Sequence, residues 1–366
     1  MKPIRFLMIG GFLGAGKTTT IARLAKHYQD TGMKVGLVTN DQAYNLVDTH
    51  TLRAQGFQVG EVPGACFCCK FDDLIGTVSD LSQEQLPDLV IAEPVGSCTD
   101  LYATIIQPMR ELFGDRFELG PLIVLLKPTH GRKILAEKKG RGFSPKAEYI
   151  FLKQLEEADA IAVNKIDSMD EASAGELLGL VGGRFPEIPA FGISARDGTG
   201  FDRMIEVANS VTKPRETYMA MDYDTYAEGE AELGWLNCQV TAAADEKFEL
   251  DQVVLAIIAE IGHRLKEAKC EIAHLKALGQ TMTEASVANI VDSSSEAELS
   301  LASEIKADAA DLLVNARVAA SPEQLTLIVE DACKVVESQL SVSLKVAGVQ
   351  SFRPGRPEPT HRATGE

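Results

Sequence analysis

The residues best suited to chemistry form a glycine-rich segment, GFLGAGKT, at positions 11–18. This segment matches the G-x-x-x-x-G-K-[ST] pattern of a phosphate-binding loop. Such a loop surrounds a polyphosphate with backbone N–H groups, which requires positions where no side chain obstructs the approach. The residues predicted to supply this backbone are Gly11, Gly14, Ala15 and Gly16.

The end of this segment carries three residues with separate predicted roles in binding a nucleotide. Lys17 would neutralise the β- and γ-phosphates, and the Thr18 hydroxyl would coordinate Mg²⁺. A helix is predicted to begin near Thr19, so that its N-terminal dipole also faces the phosphates. Lys17 and Thr18 are candidate catalytic residues, because phosphoryl transfer depends mainly on positioning and charge stabilisation.

Two acidic residues near the ends of predicted strands are further candidates for catalysis and for the magnesium site. Glu93 and Gly96 lie in AEPVG, where we expect a carboxylate that coordinates Mg²⁺ and a glycine N–H that faces the γ-phosphate. Asp41 lies in TNDQAYNLVDT, which we interpret as the first switch loop. A surface aspartate without a catalytic role is the alternative for Asp41.

A second motif, Asn-Lys-Ile-Asp at 164–167, predicts which base the nucleotide carries. Asp167 would accept hydrogen bonds from the guanine N1–H and exocyclic amine, a pair of donors that adenine does not present. Asn164 would hold the base edge and its loop, and the stem of Lys165 would pack over the ring. The downstream pair Ser194-Ala195 would supply a backbone N–H to guanine O6.

Three cysteines, Cys66, Cys68 and Cys69, lie close together in GACFCCK. An irregular turn there would let the three sulfurs converge on one ion, and thiolates select Zn²⁺, Cu(I) or similar ions over Mg²⁺. A tetrahedral site would need a fourth ligand, which the sequence does not identify. Buried packing of the thiols and a redox pair are the alternatives.

These residues require a fold that brings several strand ends together. Six short apolar runs are typical of strands buried on both faces: IRFLMIG, KVGLVTN, PDLVIAE, PLIVLL, DAIAVNK and IPAFGIS. The segments between them have room for crossover helices. Residues 1–212 are therefore predicted to form an α/β domain of the P-loop NTPase class, with a doubly wound and mostly parallel sheet.

The rest of the chain is predicted to form a linker, a second domain and a tail. Residues 213–233 are acidic and are interpreted as the linker. Residues 234–346 mix strand-like alternation with two amphipathic helices, which indicates a smaller α+β domain with a polar loop over 292–308. Residues 347–366 are rich in proline and are predicted to be disordered.

Composition narrows the expected partners and location. The 366 residues carry a formal net charge of −17, which disfavours binding to nucleic acid and to anionic membranes. No apolar stretch reaches the roughly 20 residues needed to cross a bilayer, and the N-terminus does not resemble a signal peptide. We expect a cytoplasmic protein without nucleic-acid or membrane partners, in which cysteines serve as thiols or metal ligands.

The order of these motifs resembles the CobW/HypB/UreG group of GTPases. A P-loop, a C-x-C-C cluster, a Glu-x-x-Gly strand end and Asn-Lys-x-Asp follow one another, and the cysteines are similar to those of the CobW-like branch. The resemblance implies a SIMIBI-type domain, slow Mg²⁺-dependent hydrolysis of GTP to GDP, and delivery of Zn²⁺, Co²⁺ or Ni²⁺ to a client. Two departures are Gly64-Ala65 in place of the usual Asn-Gly, and six dispersed histidines in place of a metal-loading stretch.

The leading prediction is therefore a GTP-hydrolysing metallochaperone that couples GTP state to metal binding and delivers Zn²⁺, or else Co²⁺ or Ni²⁺, to a client metalloprotein. The alternative is a GTP-gated chaperone of a metalloenzyme or corrinoid protein, with a purely structural metal. A P-loop kinase is disfavoured by Asn164 to Asp167. Intrinsic hydrolysis should be slow, and the client or a second copy of the chain in a homodimer would accelerate it.

Overall fold

The computed structural model describes residues 2–43, 46–84, 86–136 and 144–364. The chain divides into two units. The first comprises Met1–Gln42, Phe57–Gly229 and Arg356–Glu366, and the second comprises Ala43–Gly56 and Glu230–Gly355. This division differs from the predicted one, in which the first domain is continuous over 1–212 and residues 347–366 belong to no domain.

The described residues form two sets of strands. The strands of the first unit are β1 Ile4–Gly11, β2 Val35–Asp41, β3 Gln58–Pro63, β4 Leu89–Glu93, β5 Phe117–Leu126, β6 Ala160–Val163 and β7 Ala190–Gly192. Those of the second unit are β8 Gly234–Glu249, β9 Ile272–Gln280, β10 Ala285–Ile290, β11 Glu298–Leu301, β12 Lys306–Val318 and β13 Ser343–Phe352.

The helices follow in chain order. They are α1 Lys17–Asp30, α2 Val47–Ala54, α3 Phe71–Glu84, α4 Gln107–Phe113, α5 Pro128–Leu135, α6 Pro145–Glu156, α7 Glu171–Arg184, α8 Phe201–Ala208, α9 Tyr223–Glu230, α10 Leu250–Glu267 and α11 Pro322–Leu340. A π-helical turn, Tyr102–Ile106, precedes α4, and a 3₁₀ turn covers Ile166–Ser168. None of the described helices is long and apolar enough to cross a membrane.

The first sheet is parallel throughout and has the strand order β3-β2-β4-β1-β5-β6-β7. Its central strands are buried along nearly their whole length, which accounts for their continuous apolar sequences. The predicted P-loop NTPase fold is confirmed. Because all strands run the same way, the loops that follow β1, β2, β4, β6 and β7 lie at one edge of the sheet, where open α/β sheets bind ligands.

The second sheet is antiparallel, with the order β11-β10-β9-β12-β8-β13. Helices α10 and α11 pack on it through apolar side chains such as Val254, Ile258 and Val329, which are fully buried. Helix α2 belongs to this unit, because Val47 packs with Leu278 in a smaller apolar cluster. The predicted α+β character of the second domain is confirmed.

Three segments differ from their predicted structure. The predicted linker contains α9, whose start is capped by Asp222 as it accepts a hydrogen bond from the N–H of Thr225 at 3.2 Å. The predicted loop 292–308 contains β11 and the first residues of β12. The predicted disordered tail contains the later residues of β13, which pairs with β8. It also contains a segment that hydrogen-bonds within the first unit, for example from the N–H of Thr360 to the Cys68 carbonyl.

Candidate functional site

The glycine-rich loop lies between the end of β1 and the start of α1, as the motif predicts. Gly11, Gly14 and Gly16 have φ values of 133°, 73° and 90°, in the region that favours glycine. The ammonium group of Lys17 donates a hydrogen bond to the Gly11 carbonyl at 3.0 Å, and the side chain is buried. The helix begins at Lys17, two positions before the predicted start near Thr19, which is exposed.

The side chain of Asn164 joins three predicted nucleotide-binding loops. Its amide donates to the carbonyl of Ala15 at 2.8 Å, and its oxygen accepts from the N–H groups of Lys165 at 2.8 Å and Ala195 at 3.0 Å. A side chain at Gly16 would collide with this amide. Asn164 is only 1% exposed, so the structure shows it bracing the loops, a contact additional to its predicted role at the base edge.

The other residues predicted to contact guanine lie close to Asn164 in the chain or bond to it. Lys165 has a φ of 64°, and Asp167 is exposed at the start of the 3₁₀ turn. Ser194 is fully buried, and its hydroxyl oxygen accepts a hydrogen bond from the N–H of Asp197 at 3.2 Å. The structure thus leaves Asp167 accessible to a base while it holds the Ser194 turn rigid.

Arg23 is a residue of this site that sequence reasoning missed. It lies on α1 and donates from Nε to the Ala195 carbonyl at 2.8 Å and from Nη2 to the Arg196 carbonyl at 2.7 Å. These contacts tie the Ser194-Ala195 turn to the helix that follows the P-loop. A helical arginine has no sequence signal that distinguishes such a role from ordinary surface exposure.

Thr18 and Glu93 are brought together as predicted. The Thr18 hydroxyl donates to the Glu93 carboxylate at 3.1 Å, and Glu93 is 6% exposed. A hydroxyl and a carboxylate are hard oxygen ligands, so these residues fit a Mg²⁺ ion.

Gly96 lies in close contact with the P-loop. A Cβ added at this position would lie 2.6 Å from Leu13 Cδ2 and 3.1 Å from the ammonium of Lys17. Only glycine allows the backbone to approach Lys17 so closely, as a residue that contacts the same phosphate would need to do.

The end of β2 holds the cysteine turn through a residue that sequence reasoning did not single out. The amide of Asn40 donates to the carbonyls of Val62 and Ala65, each at 2.7 Å, and its oxygen accepts from the N–H of Phe67 at 2.8 Å. Asp41 is partly exposed, and its carbonyl accepts from Gly64. Positions 44 and 45 of the predicted switch lie outside the described residues.

Cys66, Cys68 and Cys69 converge as predicted, in a helical turn that leads into α3. Their Sγ atoms are separated by 3.0 Å (Cys66 to Cys68), 3.4 Å (Cys66 to Cys69) and 3.8 Å (Cys68 to Cys69). A tetrahedral ion with sulfur bonds of about 2.3 Å would hold its sulfurs about 3.8 Å apart. The cluster therefore needs only a small expansion to hold such an ion on three sulfurs.

Hydrogen bonds within the cluster shift the pKa values of the three thiols in different directions. Donation from Cys68, Cys69 and Cys98 holds the pKa of Cys66 well below its usual value, despite its burial. The hydrogen bond to Cys66 raises the pKa of Cys68 and raises that of Cys69 to about 11. Cys66 is thus the most acidic thiol of the cluster, and a metal ion bound by all three sulfurs would displace protons from Cys68 and Cys69.

Residues 5–181 match the family model described as CobW/HypB/UreG, nucleotide-binding domain. This range contains all the predicted site residues except Ser194 and Ala195. The chain is 30% identical over 164 residues to the zinc chaperone YeiR of Escherichia coli, an alignment that covers 44% of this chain and 46% of YeiR. It is 28% identical over 216 residues to the zinc chaperone CobW of a Sinorhizobium species, covering 52% and 58% of the two chains.

The chain spans about half the length of these curated relatives. Among solved structures, the zinc-bound YjiA GTPase from Escherichia coli matches with a TM-score of 0.38 and 16% identity. That match covers 91% of this chain and 99% of YjiA.

Cys98 is a fourth cysteine close to the cluster of Cys66, Cys68 and Cys69. The sequence favours packing for this residue, and the structure shows its thiol hydrogen-bonded to Cys66. Cys98 lies outside the close group, because the ligand atoms within 4.8 Å of one another are those of the other three cysteines. Its position two residues after Gly96 connects the cluster to the predicted phosphate contact.

Proposed function

We propose that this chain binds GTP with Mg²⁺, hydrolyses it slowly to GDP and phosphate, and couples the nucleotide state to binding and delivery of a transition metal. The metal is held by Cys66, Cys68 and Cys69. Zn²⁺ is the first candidate, because thiolates favour it and because two relatives of this family domain are named zinc chaperones. Co²⁺ and Ni²⁺ are the alternatives, and the recipient is a client metalloprotein.

The observation that carries this proposal concerns the ends of β2 and β4. Residues there contact both the predicted nucleotide site and the cysteine cluster. After β4, Glu93 contacts Thr18, Gly96 approaches Lys17, and Cys98 contacts Cys66. At the end of β2, Asn40 holds the cysteine turn beside Asp41, the candidate switch residue. A change in the phosphates would therefore act on backbone that also positions the sulfurs.

The role of each residue in hydrolysis follows from its charge and position. Lys17 neutralises the phosphates, Thr18 and Glu93 hold Mg²⁺, and Asp41 is the second carboxylate able to orient the attacking water. Mg²⁺ supplies positive charge to the transferring phosphoryl group. Gly96 donates its N–H to the γ-phosphate, so GTP and GDP place different demands on the segment that leads to Cys98.

An anaerobic Co²⁺ titration tests the metal site. Thiolate-to-Co²⁺ absorption should appear in the wild-type protein and should be lost when Cys66 and Cys68 are both replaced by serine. Cys333→Ser is the matched control, because Cys333 is a buried cysteine in the core of the second unit. An unaltered band in the Cys66→Ser, Cys68→Ser protein would contradict sulfur ligation by this cluster.

The burial of the cluster supports a second candidate function. Cys66 and Cys68 are each 2% exposed, as structural metal ligands commonly are. In a GTP-gated chaperone with a structural metal, the double serine variant would lose stability, and GTP would not alter the rate of metal transfer to a chelator. In the metallochaperone, that variant stays folded, and GTP hydrolysis changes the transfer rate.

A further inference from the structure

The segment 356–363 lies along the cysteine cluster within the first unit. The N–H of Thr360 donates to the carbonyl of Cys68 at 2.8 Å, and its hydroxyl donates to the carbonyl of Cys69 at 3.3 Å. The N–H of Glu358 donates to the sulfur of Cys69 at 3.2 Å. The ring of His361 packs edge-on against Phe71, with 4.9 Å between centroids. The segment thus contacts both the backbone and a sulfur of the cluster.

An ion pair between the partly exposed Arg362 and the buried Asp100 anchors this segment. Arg362 donates from Nε to the carboxylate of Asp100 at 2.7 Å, and Asp100 is 1% exposed. Tyr223 donates its hydroxyl to the same oxygen at 2.7 Å. Loss of Arg362 would leave the buried Asp100 carboxylate without its cationic partner, which is unfavourable. The anchor therefore holds the preceding residues, including Glu358, against the cluster.

Glu358 lies between two prolines, and its backbone N–H is the donor that faces the cluster. Pro357 and Pro359 have no N–H, so Glu358 supplies the one backbone donor between these two positions. That donor faces a sulfur, and hydrogen bonds to coordinating sulfurs stabilise their negative charge. Partners of this outer-shell kind typically change metal affinity by about 10- to 100-fold.

We propose that Glu358 is a positioning residue of the metal site, whose backbone N–H holds the Cys69 sulfur for ligation while the Arg362–Asp100 pair secures the segment. This inference rests on the proposed metal-binding function. It adds to the three cysteines an outer-shell donor from a part of the chain whose sequence predicts disorder.

The test compares Glu358→Pro with Glu358→Ala in the full chain. Proline removes the N–H and alanine keeps it, so both lose the carboxylate and only one loses the donor. Glu358→Pro should weaken Co²⁺ binding about tenfold and move the thiolate-to-Co²⁺ band to lower energy. Glu358→Ala should match wild type in both measurements. Circular dichroism and GDP binding report whether each variant folds.

Arg362→Gln provides an independent route, because it releases the anchor without altering residue 358. It should reproduce the weaker affinity and the band shift, and it decides the question if Glu358→Pro fails to fold. Equal affinity and equal band energy in the proline and alanine variants, or in Arg362→Gln and wild type, would overturn the inference. Absence of the band in wild-type protein would instead overturn the metal-binding function itself.

Discussion

The side-chain amide of Gln154 donates a hydrogen bond to the carbonyl of Gly96 at 3.0 Å. The same nitrogen donates to the carbonyl of Cys98 at 2.8 Å, and the side chain is 2% exposed. Gln154 therefore holds both ends of the short turn that leads from the predicted γ-phosphate contact to the cysteine cluster. A displacement of Gly96 would reach Cys98 through this braced turn.

Replacement of Gln154 by methionine should weaken the coupling between nucleotide and metal. Two buried carbonyls would lose their donor, at a cost of about 1–3 kcal/mol in the free energy of unfolding. We expect a lower melting temperature and a smaller ratio of metal affinities between GTP-analogue and GDP states. Glu156→Gln, on the exposed side of the same helix, is the control. An undiminished ratio in Gln154→Met would rule out this turn as the connection.

Replacement of Asp167 by asparagine should reduce the preference for guanine. The amide presents a donor where the guanine N1–H and amine require acceptors, so we expect about a tenfold or greater loss of GTP affinity, with ATP affinity unchanged. Fluorescent-nucleotide titrations measure both. Asp202→Asn, an exposed aspartate in the first turn of α8, serves as the control. An unchanged GTP-to-ATP ratio would show that Asp167 does not contact the base.

Replacement of Glu93 by glutamine should separate catalysis from nucleotide binding. The amide keeps an acceptor for the Thr18 hydroxyl but removes the charge that favours Mg²⁺. We expect GDP binding to persist and Mg²⁺-dependent phosphate release to slow about tenfold or more. Glu118→Gln, which removes a surface carboxylate paired with Arg5, is the control. Hydrolysis at the wild-type rate would remove Glu93 from the magnesium site.

Glu157 should make stability fall as the pH rises. Burial raises the pKa of this carboxyl to about 8, although hydrogen bonds from Tyr102 and Thr99 oppose the shift. Between about pH 5 and 8 the folded chain therefore retains a proton that the unfolded chain releases. The free energy of unfolding should decrease by roughly 1 kcal/mol per pH unit in this window and level off above it.

Urea unfolding at pH 5, 6.5 and 8 measures this effect for Glu157. In Glu157→Gln the decrease should be absent, so the difference between wild type and variant isolates the one carboxyl from other titrating groups. Parallel pH profiles for the two proteins would contradict a raised pKa at this position.

The residues that the sequence predicts correctly as neighbours are those that follow apolar strands. Glu93 ends one such run and Lys17 follows another after the glycine-rich loop, and a parallel sheet brings those strand ends to one edge. Gln154 and Arg23 could not be predicted, because their contacts bridge 58 residues to Gly96 and 172 residues to Ala195. Contacts of this kind depend on tertiary packing and leave no local pattern.

The C-terminal segment illustrates a different limit of sequence reasoning. Pro354, Pro357 and Pro359 favour an extended chain without regular hydrogen bonds, a composition typical of disorder. An extended chain can nevertheless pack when its few remaining donors find partners, as Glu358 and Thr360 do at the cysteine turn. Composition alone does not reveal those partners.

We propose that the GTP state controls the metal affinity of the three-cysteine cluster. Linkage requires that any factor by which GTP tightens metal binding must equal the factor by which metal tightens GTP binding. The direct measurement is an anaerobic Zn²⁺ and Co²⁺ titration of the full chain with GDP and with a non-hydrolysable GTP analogue. We expect tighter metal binding with the analogue than with GDP, by at least about fivefold, and the same factor in the reverse titration. Equal metal affinity in the two nucleotide states would contradict it.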